Sequence, residues 1–177
     1  MLKFKLTFLA ALSCLAFVAP AYADKTTGEA VDDTTLSGEV KAKLIDTKGV
    51  PSTAINVEVS MGRVQLGGFL ESEAEKKAAM DAAKSVKGVK KVYDALVVIK
   101  KDRSAGQAID DTTIQSTLKA KLTGEDASKG WSINTDVYNG VVLMSGFIHG
   151  EKDRMKAGEI ARGIKGVKTV HNKIELE

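Results

Sequence analysis

An internal repeat constrains the fold of this chain more than any other feature. Residues 32–35 read Asp-Asp-Thr-Thr, and the same four residues return at 110–113, an offset of 78 positions. The offset holds without a gap, so that the Lys-Gly-Val-Lys of 87–90 recurs at 165–168. About a third of the aligned positions are identical, and most of the others are replaced like for like. A gapless match of this length indicates one structural unit written twice.

The first half of each copy predicts a helix followed by a hairpin. Apolar residues one turn apart predict a short amphipathic helix, and Asp33 or Asp111 is interpreted as its N-cap. Alternating apolar residues then predict two half-buried strands. Met61-Gly62 and Asn139-Gly140 stand between these strands, where a tight turn needs residues that tolerate positive φ.

The second half predicts a helix and a final strand. Ser72 and Glu75 form a capping-box pattern at the start of the second helix, whereas the other copy begins this helix with a weaker cap at Gly150. Gly88 and Gly166 stand where the chain leaves the helix through a left-handed residue. The predicted fold class is therefore α+β, with two tandem αββαβ modules, each a three-stranded mixed sheet with two helices on one face.

These patterns also divide the chain. We expect modules at 32–99 and 110–177, a polar linker at 100–109 and a disordered N-terminal segment at 24–31. A module of this size buries only about 60% of its chain surface and is marginally stable alone. The two copies are therefore expected to pack against and stabilise each other.

The first 23 residues match a secretory signal peptide. Lys3 and Lys5 precede an apolar run over 6–18, and small residues lead to a predicted cleavage between Ala23 and Asp24. This segment is too short for a transmembrane helix, and no later apolar run is long enough to span a bilayer. We expect an exported, periplasmic protein without a transmembrane segment.

Cys14 is the only cysteine and raises the alternative of a lipid anchor. A lipoprotein signal has Leu three residues before the cysteine, whereas Leu12 lies one place too late, and an apolar run continues beyond Cys14. The pattern therefore disfavours acylation. Cleavage after Ala23 would leave a protein without cysteine that is stabilised by packing alone.

Charge excludes one class of partner. The chain has 26 basic and 23 acidic residues, but Lys3 and Lys5 leave with the signal, so 24 basic residues remain and the net charge falls to +1. A nearly balanced protein has no overall field that draws in nucleic acid.

Catalytic groups are sparse. The two histidines, His149 and His171, are not in register between the copies. Ser145 precedes a glycine but lacks the glycine two residues earlier that a nucleophile elbow requires. We therefore predict no enzyme and no cofactor. The acidic pairs at 32–33 and 110–111 leave weak binding of a small cation as an alternative, although adjacent carboxylates alone do not supply the ligands that Ca²⁺ needs.

Basic residues supply the candidate contact sites. The primary set combines the single tryptophan with nearby lysines, as at a membrane interface, and comprises Lys119, Lys121, Lys129 and Trp131. The alternative is that Trp131 covers the small core or the seam between modules. A secondary basic patch follows the second helix of each copy and comprises Lys84, Lys87, Lys90, Lys91, Arg162, Lys165 and Lys168. Its alternative is a solvated face with cations at a helix C-terminus.

The ordered set of motifs resembles the BON domain. The matching segments are 32–35, 40–44, the hairpin segments 55–59 and 62–68, and 86–89, and the second copy matches over 110–176. The resemblance implies modules that attach to phospholipid surfaces or to client and partner proteins, often under osmotic or envelope stress, with chaperone-like and lipid-anchored relatives. A structural, protein-interaction role without lipid binding stays open, as does the oligomeric state.

Overall fold

The computed structural model describes residues 27–100, 105–124 and 132–177. The first module has the order α1, β1, β2, α2, β3, with a short 3-10 turn at Ser52–Ala54 before β1. Its elements are α1 Thr27–Asp46, β1 Ile55–Ser60, β2 Arg63–Leu70, α2 Glu73–Lys84 and β3 Lys91–Val98. The second module repeats this order with α3 Ala105–Thr123, β4 Ser132–Tyr138, β5 Val141–Ile148, α4 Glu151–Arg162, β6 Thr169–Asn172 and β7 Glu175–Leu176. The predicted α+β fold of two repeated αββαβ modules is confirmed.

The sheets are mixed, as predicted. In the first module β2 lies in the centre, antiparallel to β1 and parallel to β3. In the second module β5 lies in the centre, antiparallel to β4 and parallel to both β6 and β7. The last strand of the second module is therefore the same edge strand, interrupted between Asn172 and Glu175.

Each module has its own core between its helices and one face of its sheet. In the first core Val40 and Leu44 of α1 pack against Val64 and Leu66 of β2. The second helices contribute alanines to the two cores, and the fully buried ones are Ala79, Ala83, Ala157 and Ala161. Small side chains at these positions let the helices lie close to the sheet, because no longer side chain separates the two backbones.

The first helices begin earlier than predicted, so the N-cap interpretation of Asp33 and Asp111 is wrong. α1 starts at Thr27, inside the segment expected to be disordered, and α3 starts at Ala105, inside the expected linker. Asp33 is buried within α1, and its carboxylate accepts hydrogen bonds from the backbone amides of Met61 (2.8 Å) and Gly62 (2.9 Å). The carboxylate is therefore used by the hairpin turn rather than by the helix end.

Most of the turn and cap predictions for the rest of the module are confirmed. Met61 and Asn139 have φ of 53° and 50°, so both hairpin turns use a left-handed residue before their glycine. The Ser72 side chain accepts the Glu75 amide at 3.2 Å, whereas Gly150 offers no side-chain cap. Gly88 and Gly166 have φ of 96° and 95° as predicted, but they lie in the turns that follow the helix ends.

The modules pack back to back through the sheet faces that carry no helices. Asn56 Nδ2 donates to Asp136 at 2.7 Å, and Asn134 Nδ2 donates to Glu58 at 2.6 Å. These two bonds exchange under the offset of 78, so the seam is pseudo-two-fold, an isologous contact made within one chain. The expectation that the copies support each other therefore has a defined geometry.

The seam also fixes the relative direction of the central strands. Arg63 at the start of β2 lies over the ring of Phe147 near the end of β5, 5.3 Å from its centroid. Phe69 near the end of β2 packs against Tyr138, beside the turn that starts β5, with centroids 6.0 Å apart. β2 and β5 thus run in opposite directions, and the two hairpin turns lie at opposite ends of the molecule.

The predicted signal peptide lies outside the described residues, together with Cys14 and the cleavage point between Ala23 and Asp24. In the part of the chain that the structure does describe, no helix combines the length and the apolarity needed to cross a membrane.

Candidate contact surfaces

The primary candidate set lies at the end of α3. Lys119 and Lys121 are exposed there, whereas Lys129 and Trp131 lie outside the described residues. The equivalent positions on α1, Lys41 and Lys43, are also exposed lysines. The first helix of each module therefore presents the same pair of cations near its C-terminal end.

Ile45 adds an apolar feature that the sequence reasoning missed. Its side chain is 68% exposed, the highest value among the large hydrophobic residues described. It lies four residues after Lys41, which places both on neighbouring positions of one helix face. The sequence does contain a signal for it. Leu36, Val40 and Leu44 already form the buried face of the helix, and Ile45 is an apolar residue outside that face.

The secondary basic patch does not form one surface. All seven members are exposed, but several are held by local contacts. Lys91 Nζ lies 4.3 Å from the centroid of the Tyr93 ring, and Lys90 Nζ donates to the Met61 carbonyl at 3.0 Å. Because Lys90 and its counterpart Lys168 accompany opposite hairpin turns, the two halves of the patch lie at opposite ends of the molecule.

Buried polar residues at the seam are the second feature that the sequence did not reveal. Gln65 in β2 is 1% exposed; its side chain donates to the Lys173 carbonyl at 2.6 Å and accepts from the Gly146 amide. Burial raises the pKa of Asp136, and this effect is partly offset by the Asn56 hydrogen bond and the positive charge of Lys119. Polar residues alternating along strands predict solvent exposure, so nothing in a single module marks them as contact residues.

The histidines are not brought together. His171 pairs beside Leu143, six residues before His149 along the chain, which separates them by about 20 Å at strand spacing. His149 Nδ1 lies 2.9 Å from Glu177, whose other carboxylate oxygen accepts from Ser60 at 3.0 Å. In this arrangement the carboxylate stands between hydroxyl and imidazole, so His149 is not placed to take a proton from Ser60.

The acidic pairs are split by the fold. Asp33 and Asp111 turn inward to the hairpin amides, whereas Asp32 and Asp110 remain exposed. Within the described ranges no three His, Cys, Asp or Glu side chains converge on one point where a metal ion could sit.

Comparison with known proteins places these observations in a family. The BON domain model matches residues 32–100 and 110–177. The chain is 35% identical to "Osmotically-inducible protein Y" of Escherichia coli strain K12, over 85% of this chain and 75% of that protein. It is 31% identical to "Outer membrane lipoprotein DolP" of Haemophilus influenzae, over 82% of this chain and 75% of that protein.

A solved structure also aligns with the chain. It is the C-terminal domain of CdsD, a structural protein of the type III secretion system of Chlamydia trachomatis, at 15% identity and a TM-score of 0.33, covering 82% of this chain and 67% of that one. The family assignment rests on the sequence matches. This chain is a member of the BON-domain family that carries the family's module twice.

Proposed function

We propose that this chain is an exported envelope protein without enzymatic activity that makes reversible contact with phospholipid surfaces. One relative supports the envelope location, because it is named as an outer membrane lipoprotein, and another supports a role in osmotic stress, because it is named as osmotically inducible. The predicted signal peptide over 1–23 supports export. The observation that carries lipid contact is the exposed pair of lysines repeated at the ends of α1 and α3.

The back-to-back seam limits where such contact can occur. Both sheet faces are covered, so the helices form the broad outer surfaces of each module. Lys41 and Lys43 on α1, and Lys119 and Lys121 on α3, project from these surfaces. Each cation near an anionic bilayer contributes about 1 kcal/mol, so two per module give weak, salt-sensitive attachment. Ile45, and Trp131 as predicted from sequence, would insert at the headgroup level.

Vesicle sedimentation tests this proposal. We expect binding to vesicles that contain phosphatidylglycerol, loss of binding at high salt, and a blue shift of the fluorescence of Trp131, the single tryptophan. The double variant Lys43→Glu and Lys121→Glu should weaken binding, and it leaves in place Lys119, whose charge acts on Asp136 at the seam. Lys152→Glu with Lys173→Glu is the matched control, because both lysines are exposed and the charge change is identical. Equal binding by the two double variants would contradict the proposal.

Client-protein binding is a second candidate, favoured by the free edge of the first sheet. β3 runs unbroken over Lys91–Val98 and, among the described strands, pairs only with β2. The edge strand of a sheet is a template for an extended segment of another chain. On β3 the Leu96 amide and carbonyl are already bonded to Asp94 and Lys76, so pairing would use the outward-facing groups on either side of Leu96. The equivalent edge of the second module is interrupted between β6 and β7, so among the described strands only the first module has an unbroken strand at this edge.

The client candidate predicts suppressed aggregation of a model unfolded protein. The amide of Ile99 donates to Leu70 of β2, so the amide of Val98 faces the free side of β3. Val98→Pro would remove this outward-facing donor and should reduce that suppression if the edge is used. The same substitution at Leu176, the aligned position in the short strand β7, is the control. If neither variant changes suppression, the edge is not the client site.

A further inference from the structure

Both modules carry a cleft at the same place. It lies between the first helix, the hairpin turn and the turn after the second helix, with a volume of about 300 Å³ in the first module and about 430 Å³ in the second. Small-molecule sites typically start at roughly this size. Since the hairpin turns lie at opposite ends of the molecule, the two clefts also face opposite ends.

The residues that line the two clefts are more similar to each other than the two modules are as a whole. Nine aligned positions line both clefts, and seven are identical, against about a third of positions over the whole repeat. The fold accounts for several of them, because Asp33 binds the hairpin amides and Gly62 and Gly88 have positive φ. Lys90 packs across Gly62 and bonds to the turn.

Two of the identical positions carry charged side chains that none of these contacts uses. Asp32 and Lys87, matched by Asp110 and Lys165, are exposed and line the clefts. Within the described part of the chain, the side chains of Asp32 and Lys87 form neither a hydrogen bond nor an ion pair, with each other or with any other residue. Their retention in both copies therefore calls for a role other than stability.

The chemistry of the walls defines what would fit. A carboxylate stands on the helix side and an ammonium on the side of the turn after the second helix, over a floor provided by Leu36 or Ile114. Since the two charges do not pair across the cleft, the space between them suits a molecule that carries both opposite charges. Each would form a charge-assisted hydrogen bond with its partner.

We propose that each cleft binds a small zwitterion, an ammonium joined by a short chain to a phosphate or carboxylate. Asp32 or Asp110 binds the ligand's ammonium, and Lys87 or Lys165 binds its acidic group. Two sources share this chemistry: the phosphoethanolamine headgroup of a lipid and a free amino acid. Because the clefts face opposite ends, the protein binds two ligands independently. The site is distinct from Lys119 and Lys121, so this inference does not rest on the proposed membrane contact.

Amide spectra of isotope-labelled protein titrated with O-phosphoethanolamine test the inference. We expect saturable shifts at the amides of Gly62 and Gly88, and at those of Gly140 and Gly166. Phosphocholine is the matched probe, because its quaternary ammonium has no N–H to donate to Asp32 or Asp110, and it should bind more weakly. Glycine and phosphatidylethanolamine vesicles form the two source arms, and binding in either arm supports the shared chemistry and identifies the source.

Variants assign each cleft. Asp32→Asn should weaken binding about tenfold in the first cleft and leave the second unchanged, and Asp110→Asn should do the reverse. Asp46→Asn, an exposed carboxylate on the same helix as Asp32, should change neither. The inference is overturned if no zwitterion shifts the cleft amides, if inorganic phosphate alone gives the same shifts, or if the variants bind like the original protein. None of these outcomes depends on vesicle binding through Lys119 and Lys121.

Discussion

At the residue scale, the most informative side chains are the aspartates inside the first helices. Met61 has φ of 53°, a backbone conformation that is unfavourable for any residue other than glycine. Asp33 offsets this cost because one carboxylate accepts both turn amides. Asp111 does the same for Asn139 and Gly140 at 2.7 and 2.8 Å. One buried charge thus ties helix to hairpin in each module.

Removing this carboxylate should destabilise the module. Asp33→Ala leaves two turn amides without their acceptor, and we expect the free energy of unfolding to fall by about 2–4 kcal/mol. Urea unfolding measures the change. Asp32→Ala, at the exposed neighbouring position, should stay within about 0.5 kcal/mol. Equal effects of the two substitutions would show that Asp33 does not hold the turn.

The turn residue itself offers a change of the opposite sign. Asn139 occupies in the second module the position that Met61 occupies in the first, and asparagine tolerates positive φ better than methionine does. We expect Met61→Asn to raise the free energy of unfolding by about 0.5–1 kcal/mol. Thermal unfolding followed by circular dichroism measures it. A lower melting temperature would mean that the Met61 side chain makes packing contacts that outweigh the strain.

At the element scale, the central strands show how far the sequence predicts the fold. The apolar residues at every second position, such as Val64 and Leu66, together with the turn residues, predict the order of elements and the strand face that meets the core. They predicted a half-buried strand, but β2 is buried from Val64 to Leu70 on both faces. The second face carries Gln65, Gly67 and Phe69, a mixture that has no apolar period. Its burial depends on the other module, so only the repeat as a whole could suggest it.

The same limit applies to the contact surfaces. The lysines of the primary set could be named from the sequence because long charged side chains are almost always exposed. The clefts could not, because they bring together residues more than fifty positions apart, such as Asp32 and Lys87. Identity between the copies was visible in the sequence, but the residues needed by the turns and those left for a ligand separate only in three dimensions.

The crossing of β2 and β5 predicts a compensating pair of substitutions. A Cβ added at Gly67 would lie 2.9 Å from the Cβ of Ser145, and closer still to its hydroxyl. We expect Gly67→Ala to lower the free energy of unfolding by about 1–3 kcal/mol through overpacking. Adding Ser145→Gly should restore much of that loss, because it opens the space at the aligned position.

A double-mutant cycle in urea measures this compensation. Ser145→Gly alone also removes a buried hydroxyl without a hydrogen-bond partner in the structure, which partly offsets its other costs. Additive effects of the two substitutions would show that Gly67 and Ser145 do not meet across the seam.

At the scale of the whole molecule, the seam turns two marginal modules into one unit. Its polar bonds exchange under the pseudo-two-fold relation, while its aromatic contacts differ between the two halves. Phe147 packs with both Arg63 and Tyr93. Phe69 packs with Tyr138, which is not the residue aligned with Tyr93. This asymmetry favours packing of the first module against the second within one chain over packing of two identical modules from separate chains. The contact residues of the first and second modules differ and complement each other.

The seam should also make stability depend on pH through Asp136. Burial raises its pKa in the folded state above the ordinary value of 3.8, against the opposing effects of Asn56 and Lys119. A folded state with the higher pKa holds its proton more tightly, so the contribution of this group is greatest in acid. It is lost as pH rises from the unfolded pKa through the folded pKa.

Asp136→Asn keeps an acceptor for Asn56 and removes the charge. Relative to the original protein, the variant should therefore gain stability between pH 3 and pH 7, and urea unfolding at both pH values measures the difference. Comparing the two proteins at each pH cancels the titration of the other carboxylates. A difference that stays constant, or that shrinks as pH rises, would mean that the Asp136 charge is not penalised at the seam.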